Sequence, residues 1–295
     1  MLKRTLLFTK PATIKLRYSQ LVISYKEEPE DVITVPIEDI GVVIVENQQV
    51  TITIPLLNAL SQSGAQIVFC DSRGMPASTL LSFEGNNTQG ETLRNQIDCG
   101  EVLKKQLWKQ IIERKIYNQS LLLDKVGKDG GILRQYYMSV KSGDTDNREG
   151  AASRLYFPLL FGNDFVRDRN SFGVNALLNY GYSVLRSTVA RALVSSGLFP
   201  GIGIFHHNRS NAFPLADDIM EPFRPFVDEI VYSLYRKGEE MLSKDTKAEL
   251  IKVLYADADY DKVTRPLSVG MTMTTASLAK CFSKTQSKLS LPKLP

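Results

Sequence analysis

Glu84-Gly85-Asn86-Asn87-Thr88 divides the chain into two parts that differ in their pattern of apolar residues. This stretch has no large apolar side chain, and its run of Gly and Asn is typical of a linker. Strand-like runs precede it, and helical periodicity follows it. We therefore predict a β-rich domain at residues 1–84, a linker at 85–95, a helical domain at 96–283 and a basic, disordered tail at 284–295.

On the amino-terminal side of the linker, short runs rich in Val, Ile and Thr alternate with turn residues. This pattern is typical of β-strands, and it predicts an antiparallel β domain. One short helix is predicted at Leu56–Gln62. The candidate strands are Thr5–Thr9, Thr13–Arg17, Gln20–Tyr25, Val32–Val35, Gly41–Val45, Val50–Ile54 and Gln66–Cys70.

On the carboxyl-terminal side, apolar residues recur at three- and four-residue steps, which is typical of amphipathic helices. The pattern runs over residues 103–112, 174–193 and 219–234. The predicted fold class is α+β, with an N-terminal antiparallel β domain followed by a larger all-α domain. Lysines and prolines in residues 284–295 favour disorder there.

The composition indicates a soluble globular protein, since 43% of the 295 residues are hydrophobic and 23% are charged. No apolar run approaches the ~18 residues of a membrane span, so we expect a cytoplasmic protein without membrane contact. Three separated cysteines without a CxxC pair argue against a disulfide framework or a zinc cluster. Residues 1–95 carry a net charge of −2 and the remainder +6, which weakly supports nucleic-acid binding by the second part.

The two histidines of the chain are adjacent, His206-His207, in a segment flanked by glycines that suggests a loop. Histidines in such places are more often structural than catalytic. The acidic segment that follows strengthens the functional interpretation, because Asp218 and Glu221 are three residues apart on one helix face. Two carboxylates that converge repel each other unless a cation or a proton lies between them. A helix N-cap at Asp217 or Asp218 is the alternative explanation for those two residues.

Glu149 lies in a third segment, Asn147-Arg-Glu-Gly-Ala-Ala-Ser-Arg-Leu-Tyr156, near the predicted start of a helix. Its small residues allow close approach of a neighbouring backbone. The alternative to a functional role is that Glu149 is an ordinary glutamate in the first turn of a helix. Oxygen ligands suit Mg²⁺ or Mn²⁺, and one imidazole nitrogen shifts the preference toward Mn²⁺. Such an ion supports phosphodiester chemistry by polarising the phosphoryl group and stabilising the leaving oxygen.

Four blocks in this order resemble the CRISPR-associated integrase subunit, the Cas-one family. They are residues 149–156, Asn175–Tyr182 (Asn-Ala-Leu-Leu-Asn-Tyr-Gly-Tyr), the segment Gly-Ile-Phe-His-His that ends at His207, and residues 215–225 (Leu-Ala-Asp-Asp-Ile-Met-Glu-Pro-Phe-Arg-Pro). The resemblance covers essentially the whole chain, and a β domain followed by a helical domain matches the family's architecture. Four blocks in the right order and spacing make the resemblance specific.

The resemblance implies a metal site formed by Glu149, a histidine and Glu221, with Asp218 assisting. His206 matches the ligand position better than His207, which is then a DNA contact or a supporting group. The implied reaction inserts short DNA fragments into a CRISPR array. The 3′-hydroxyl of a prespacer attacks a phosphodiester at the edge of a repeat, with Mg²⁺ or Mn²⁺ as cofactor. No protein nucleophile is needed.

Basic residues near these blocks are the predicted contacts to double-stranded DNA. For residues 166–170 a solvated charged loop is the alternative, and for Tyr156, on the predicted helix of Glu149, packing is the alternative to supporting the site. Arg224 contacts phosphate or pairs with a carboxylate. The predicted DNA contacts are Arg154, Arg167, Arg169, His207 and Arg224.

The resemblance also implies partners. The family's subunits form homodimers, with the β domain as the expected dimer contact, and two dimers flank a dimer of the small Cas-two protein. The paired histidines followed by Asn208 are similar to those of type II systems, which adds the type II effector and accessory proteins as candidate partners. Two rival functions remain open: a non-catalytic DNA-binding scaffold and a general repair nuclease for branched DNA.

Overall fold

The computed structural model describes residues 3–28, 30–82, 85–168, 171–261 and 263–295. The chain forms two compact units, Met1–Phe83 and Glu84–Pro295. The first is rich in strands and the second is mostly helical, which confirms the predicted fold class.

The first unit is built from two β-sheets and a helix. Helix α1 spans Ile54–Gln62. The strands are β1 (Arg4–Phe8), β2 (Ala12–Arg17), β3 (Gln20–Tyr25), β4 (Val32–Pro36), β5 (Ile40–Val45), β6 (Thr51–Ile52), β7 (Gln66–Cys70) and β8 (Pro76–Leu80). One sheet has the order β1-β5-β7-β8 and the other β4-β3-β2-β6. Residues of both sheets and of α1, among them Phe8, Ile14, Val43 and Leu56, form one buried hydrophobic cluster.

Strand pairing in this unit is mixed, so the prediction of antiparallel pairing throughout is wrong in that respect. The strands β2, β3 and β4 do pair antiparallel, but β1 with β5 and β5 with β7 are parallel. Parallel neighbours require a crossover connection. The β2–β4 meander provides it between β1 and β5, and the segment with α1 provides it between β5 and β7. The edge strand β8 escaped prediction because it begins at a proline and carries small polar residues.

The second unit is organised around two long helices, α3 (Glu101–Lys125) and α6 (Val174–Ser195). Around them lie α2 (Gln89–Ile97), α4 (Arg134–Tyr137), α5 (Arg148–Phe161), α7 (Pro214–Met220), α8 (Arg224–Arg236), α9 (Lys244–Ile251) and α10 (Leu267–Phe282). A hairpin of β9 (Asp257–Tyr260) and β10 (Val263–Pro266) interrupts the predicted all-α pattern. None of the described helices combines the length and apolar character needed to cross a bilayer.

The predicted linker at 85–95 largely belongs to the helical unit. Helix α2 begins inside it, at Gln89, and the buried Gln96 donates hydrogen bonds to the carbonyls of Phe199 and Ile202. Asn86 donates to the carbonyl of Ser195. Of the polar side chains that suggested a linker, that of Asn86 is therefore hydrogen-bonded to the body of the unit.

The predicted disorder of residues 284–295 is wrong. Leu291 and Leu294 are buried, and Lys293 forms an antiparallel bridge with Asp259. The fully buried Asn118 of α3 donates to the carbonyl of Pro292 and accepts from the amide of Leu294. Lysines and prolines suggested disorder, but the leucines between them bury apolar surface. Asn118 also provides hydrogen-bond partners for the backbone groups of Pro292 and Leu294.

Candidate metal centre

The site is formed by α3, α5 and the single 3-10 turn Glu221–Phe223 that joins α7 to α8. Pro222 has no backbone N–H to donate, which favours a break in the helix at this turn. The buried Asn118 donates a 2.8 Å hydrogen bond to the carbonyl of Pro222, so that α3 holds the turn in place. This geometry directs the buried side chain of Glu221 toward Lys115 of α3.

Glu149 is placed by the capping of α5. Asn147 adopts a left-handed conformation, and its side chain accepts a hydrogen bond from the amide of Gly150. The carboxylate of Asp144 accepts hydrogen bonds from the amides of Arg148 and Glu149. These contacts fix the first turn of α5 and bring the Glu149 carboxylate within 3.1 Å of the hydroxyl of Ser153.

Glu149 and Glu221 converge on the ammonium group of Lys115 from α3. Its Nζ lies 2.5 Å from Glu149 Oε1 and 2.5 Å from Glu221 Oε2. Arg224 Nη2 lies 3.0 Å from the other oxygen, Glu221 Oε1. Among the described residues, none donates a well-aligned hydrogen bond to the buried Glu221 Oε2. The structure thus brings together two of the predicted ligands around a positive charge.

The buried charges of this cluster shift one another's protonation. The Lys115 ammonium lowers the pKa of Glu149 to about 2, so this carboxylate is ionised at neutral pH. Burial lowers the pKa of Lys115, but Glu149 and Glu221 together outweigh burial and raise it above the ordinary value. Lys115 therefore remains an ammonium group, and the cluster consists of charged partners.

His206 is held by Asp218. The fully buried Asp218 carboxylate accepts hydrogen bonds from the amides of Ile204, Phe205 and His206, and one of its oxygens lies 2.6 Å from His206 Nδ1. This hydrogen bond raises the pKa of His206. With Nδ1 directed at Asp218, Nε2 is the nitrogen available to a ligand, an arrangement common for metal-binding histidines.

The loop that carries His206 is also fixed by packing. The ring of Phe205 stacks on that of Trp108, with ring centroids 4.2 Å apart and planes 4° from parallel. A Cβ at Gly203 would lie 2.6 Å from the carbonyl oxygen of His206, so only glycine fits there. His207 is exposed at the surface of the loop.

The N-cap interpretation of Asp217 and Asp218 is wrong. Helix α7 begins at Pro214, so both residues lie within it. Asp217 pairs with Arg186 at 2.7 Å and accepts a hydrogen bond from Asn211. Asp218 supports His206 from one side of α7, whereas Glu221 pairs with Lys115 and Arg224 beyond the end of the helix.

The three predicted ligands do not form one group in the structure. Within the residues that the structure describes, no three His, Cys, Asp or Glu side chains lie close enough together to hold a metal ion. Glu149 and Glu221 share Lys115, and His206 pairs with Asp218. The carboxylate pair is therefore assembled, and the histidine stands apart from it with its own carboxylate.

A cavity of about 440 Å³ is lined by Glu149 and by Lys115, the lysine that Glu149 shares with Glu221. Arg154, Arg167 and Arg224, all predicted DNA contacts, line it together with Glu149. Arg154 is exposed, Arg167 binds the side-chain oxygens of Asn175 and Asn179, and Arg224 lies over the ring of Tyr182 at 4.5 Å. The remaining predicted contact, Arg169, lies outside the described residues.

Two residues of the site were missed by the sequence interpretation. Asp228, fully buried, accepts hydrogen bonds from the hydroxyls of Tyr156 and Tyr182 at 2.8 and 2.5 Å, and burial raises the pKa of Asp228 to about 6. Tyr156 is thus a buried packing residue as well as a hydrogen-bond donor. Lys115 follows Ile111 by four residues and so lies on the apolar face of α3. A lysine at such an apolar-face position was the signal available in the sequence.

Comparison with known proteins decides the family. The profile described as "CRISPR associated protein Cas1" matches residues 6–264. The chain belongs to the Cas1 family. It is 43% identical over 256 residues to the CRISPR-associated endonuclease Cas1 of Neisseria meningitidis serogroup C, covering 85% of this chain and 83% of the relative. A Cas1 relative from Pyrobaculum aerophilum is 24% identical over 92% of this chain and 96% of its own length.

Solved structures share the fold of this Cas1-family chain. A casposase bound to an integration product superposes with a TM-score of 0.79 at 22% identity, covering 98% of this chain and 93% of the other. A Cas1 protein from Thermotoga maritima gives a TM-score of 0.72 at 20% identity, with coverage of 95% and 97%. A chain of a Cas6-RT-Cas1–Cas2 complex gives 0.74 at 18% identity, over 99% of this chain and 36% of that one.

Proposed function

We propose that this Cas1-family protein is a DNA integrase that inserts new spacers into a CRISPR array. The 3′-hydroxyl oxygen of a prespacer attacks a phosphodiester at the edge of a repeat. A new bond forms between that oxygen and phosphorus, and the repeat strand leaves with a 3′-hydroxyl. The observation that carries the proposal is the convergence of Glu149 and Glu221 on one buried cationic point, in a chain 43% identical to a CRISPR-associated endonuclease.

The proposed cofactor is Mg²⁺ or Mn²⁺, with Glu149, Glu221 and His206 as its ligands. The donor set fits in part, because the two carboxylates already converge on one positive charge, and Glu221 Oε2 accepts no well-aligned hydrogen bond from the described residues although Lys115 Nζ lies 2.5 Å away. His206 would complete the set through Nε2, with Asp218 holding its ring. When bound, such an ion polarises the attacked phosphoryl group and stabilises the leaving oxygen.

The protein's own side chains would position the DNA. Arg154 and Arg167 line the cavity beside Glu149, where guanidinium groups can pair with phosphate oxygens. Arg224 is instead committed to Glu221 and Tyr182, so its role is to hold Glu221 in place. Asp218 orients the ring of His206 through its contact with Nδ1. No serine or cysteine nucleophile is required by the proposed reaction.

The proposed partners are double-stranded DNA, a second copy of the chain and a Cas2 dimer. The fold shared with a chain of a Cas6-RT-Cas1–Cas2 complex supports the Cas2 assignment. The type II assignment, with its effector and accessory proteins, is supported by the identity to the Neisseria meningitidis relative, from an organism with a type II system. Dimerisation through the first unit is proposed on the family resemblance alone.

A strand-transfer assay tests the proposal. Labelled prespacer is incubated with a plasmid that carries a repeat array, with Mn²⁺ or Mg²⁺ and the Cas2 partner. Glu221→Gln keeps the side-chain shape but removes the charge, and we expect integration to fall by about 100-fold or more. The matched control is Glu249→Gln, a half-buried glutamate of α9 paired with Lys252, which should integrate at the wild-type rate.

Three outcomes would contradict the proposal in different ways. Wild-type integration by Glu221→Gln would refute the site assignment. DNA binding and Cas2 assembly without any metal-dependent product would favour the scaffold function. Cleavage of a branched junction, with no joining of prespacer to the array, would favour the repair nuclease.

A further inference from the structure

Lys115 is a charged residue of the site that the proposed reaction does not use. Its side chain is 8% exposed, and its ammonium contacts both Glu149 and Glu221 at 2.5 Å. Arg224 contacts the second oxygen of Glu221 at 3.0 Å. Two carboxylates are thus matched by two protein cations, and the cluster is electrically balanced without a bound ion.

A divalent ion that binds Glu149 and Glu221 competes with the ammonium of Lys115 for the same oxygens. Two cations held a few ångströms apart in a poorly solvated site repel each other strongly. The four-carbon stem of a lysine is flexible, and the cavity of about 440 Å³ that Lys115 lines gives the ammonium room to withdraw. Binding of the ion and displacement of Lys115 are therefore coupled.

We propose that Lys115 is a positioning residue that acts as the internal counterion of the metal centre. It holds Glu149 and Glu221 together before the ion arrives, and its ammonium leaves their oxygens when the ion binds. Lys115 thereby sets the metal concentration at which the centre is filled. This inference rests on the proposed function, because it requires the ion to bind these two carboxylates.

The proposal predicts opposite effects of Lys115→Met on the metal-free and the metal-bound protein. Methionine keeps an unbranched apolar stem but removes the charge, so Glu149 and Glu221 repel each other in the metal-free protein and its Tm falls. The ion then meets no competing cation. We expect the dissociation constant for Mn²⁺ to fall on the order of tenfold, and the rise in Tm on adding Mn²⁺ to exceed that of the wild type.

The experiment uses the full chain and two readouts other than activity. Electron paramagnetic resonance of free Mn²⁺ gives the dissociation constant, and thermal unfolding with and without Mn²⁺ gives the shift in Tm. Lys247→Met is the matched control, since Lys247 is also a buried lysine but its ammonium lies 5.5 Å from the ring centroid of Tyr180. It should leave the dissociation constant for Mn²⁺ unchanged.

The outcomes separate this inference from the proposed function. Unchanged or weaker Mn²⁺ binding by Lys115→Met, while Glu149→Gln still abolishes binding, overturns the counterion role and leaves the metal centre intact. If Glu149→Gln binds Mn²⁺ as tightly as the wild type does, both the metal centre and this inference are overturned.

A second measurement on the wild type covers the case in which Lys115→Met fails to fold. The protein is treated with acetic anhydride, with and without Mn²⁺, and acetylation of Lys115 is followed by mass spectrometry. Displacement from the carboxylates should increase this acetylation, with that of Lys247 as the internal reference. Acetylation of Lys115 that Mn²⁺ leaves unchanged overturns the proposal.

Discussion

The carboxylate of Asp218 lies 2.6 Å from Nδ1 of His206 and also binds three amides of the loop that carries this histidine. Asp218 is fully buried, so these contacts form where water cannot replace them. The aspartate therefore orients the histidine ring and shapes its loop at the same time. This relationship explains how a residue outside the proposed ligand set can govern it.

We expect Asp218→Asn to lower metal-dependent strand transfer by about 10- to 100-fold, because partners that orient a metal-binding histidine have effects of that size. The amide would also direct an NH₂ group at donors of the loop, which should lower the free energy of unfolding by about 2 kcal/mol. Integration assays and urea unfolding measure the two effects. Asp217→Asn, which alters the pair with Arg186 instead, should leave strand transfer within about twofold. Equal losses in both variants would contradict a specific role for Asp218.

The titration of His206 provides a direct test of the same contact. The hydrogen bond with Asp218 raises the pKa of His206, so it stabilises the fold below the ordinary histidine pKa, and this stabilisation is lost as pH rises through the folded pKa. We expect Asp218→Asn to lower the pKa of His206. Since the chain has two histidines, the ring signals can be followed by NMR, with exposed His207 as the internal reference. Identical titration of His206 in both proteins would refute the contact.

Asp228 should make stability depend on pH in the opposite sense from an ion-paired carboxylate. Burial raises the pKa of Asp228 to about 6 from the usual 3.8, so the folded state favours the protonated acid. Stability from this group is present below the unfolded pKa and is lost as pH rises through about 6. As pH rises from 4 to 7, we expect the free energy of unfolding of Asp228→Asn to increase by about 2 kcal/mol relative to that of the wild type. Urea unfolding at several pH values measures it, and a constant difference would contradict the shift.

The sequence predicted the parts of the site that are local in the chain. The capped first turn of α5 places Glu149, and the three-residue spacing of Asp218 and Glu221 can be read from the sequence alone. The different partners of Asp218 and Glu221 were not visible, because the regular helix α7 ends between them, at Met220, and Glu221 begins the 3-10 turn that contains Pro222. Local spacing predicts a shared face only while the helix continues.

Features that depend on distant contacts could not be predicted from local patterns. Lys115 is brought to Glu149 and Glu221 by helix packing across 34 and 106 positions of the chain, and no periodicity reports such pairs. The parallel pairing of β1 with β5 likewise depends on a crossover, not on the strands themselves. Residues 284–295 were misjudged because their order depends on Asn118, far away in α3.

The hydrogen bonds of Asn118 predict that residues 292–294 stabilise the site. The side chain of Asn118 joins the carbonyl of Pro222, next to Glu221, to the backbone of Pro292 and Leu294. We expect Asn118→Ala to lower the free energy of unfolding by about 3 kcal/mol, because buried backbone groups lose their partners. Asn86→Ala, which removes an exposed contact to Ser195, should cost about 1 kcal/mol or less. Similar losses of unfolding free energy in the two variants would contradict a specific stabilising role for the Asn118 hydrogen bonds.

Arg154 of the cavity should bind DNA mainly through phosphate, and the salt dependence of binding can test this. Arg154 is exposed at the cavity beside Glu149, and among the described residues no buried partner holds it as Asn175 and Asn179 hold Arg167. Each phosphate contact releases counterions, so Arg154→Gln should weaken DNA binding at all sequences and reduce the slope of log K against log salt by about 1.

Fluorescence anisotropy with a labelled prespacer over a range of KCl concentrations gives that slope. Arg236→Gln, at the exposed end of α8, is the matched control and should leave the slope unchanged. The glutamine variant of Arg154 should keep the wild-type Tm, because its exposed side chain contributes little to packing. An unchanged slope for Arg154→Gln would mean that DNA does not pass this cavity. A loss confined to one DNA sequence would mean that Arg154 reads a base instead of the backbone.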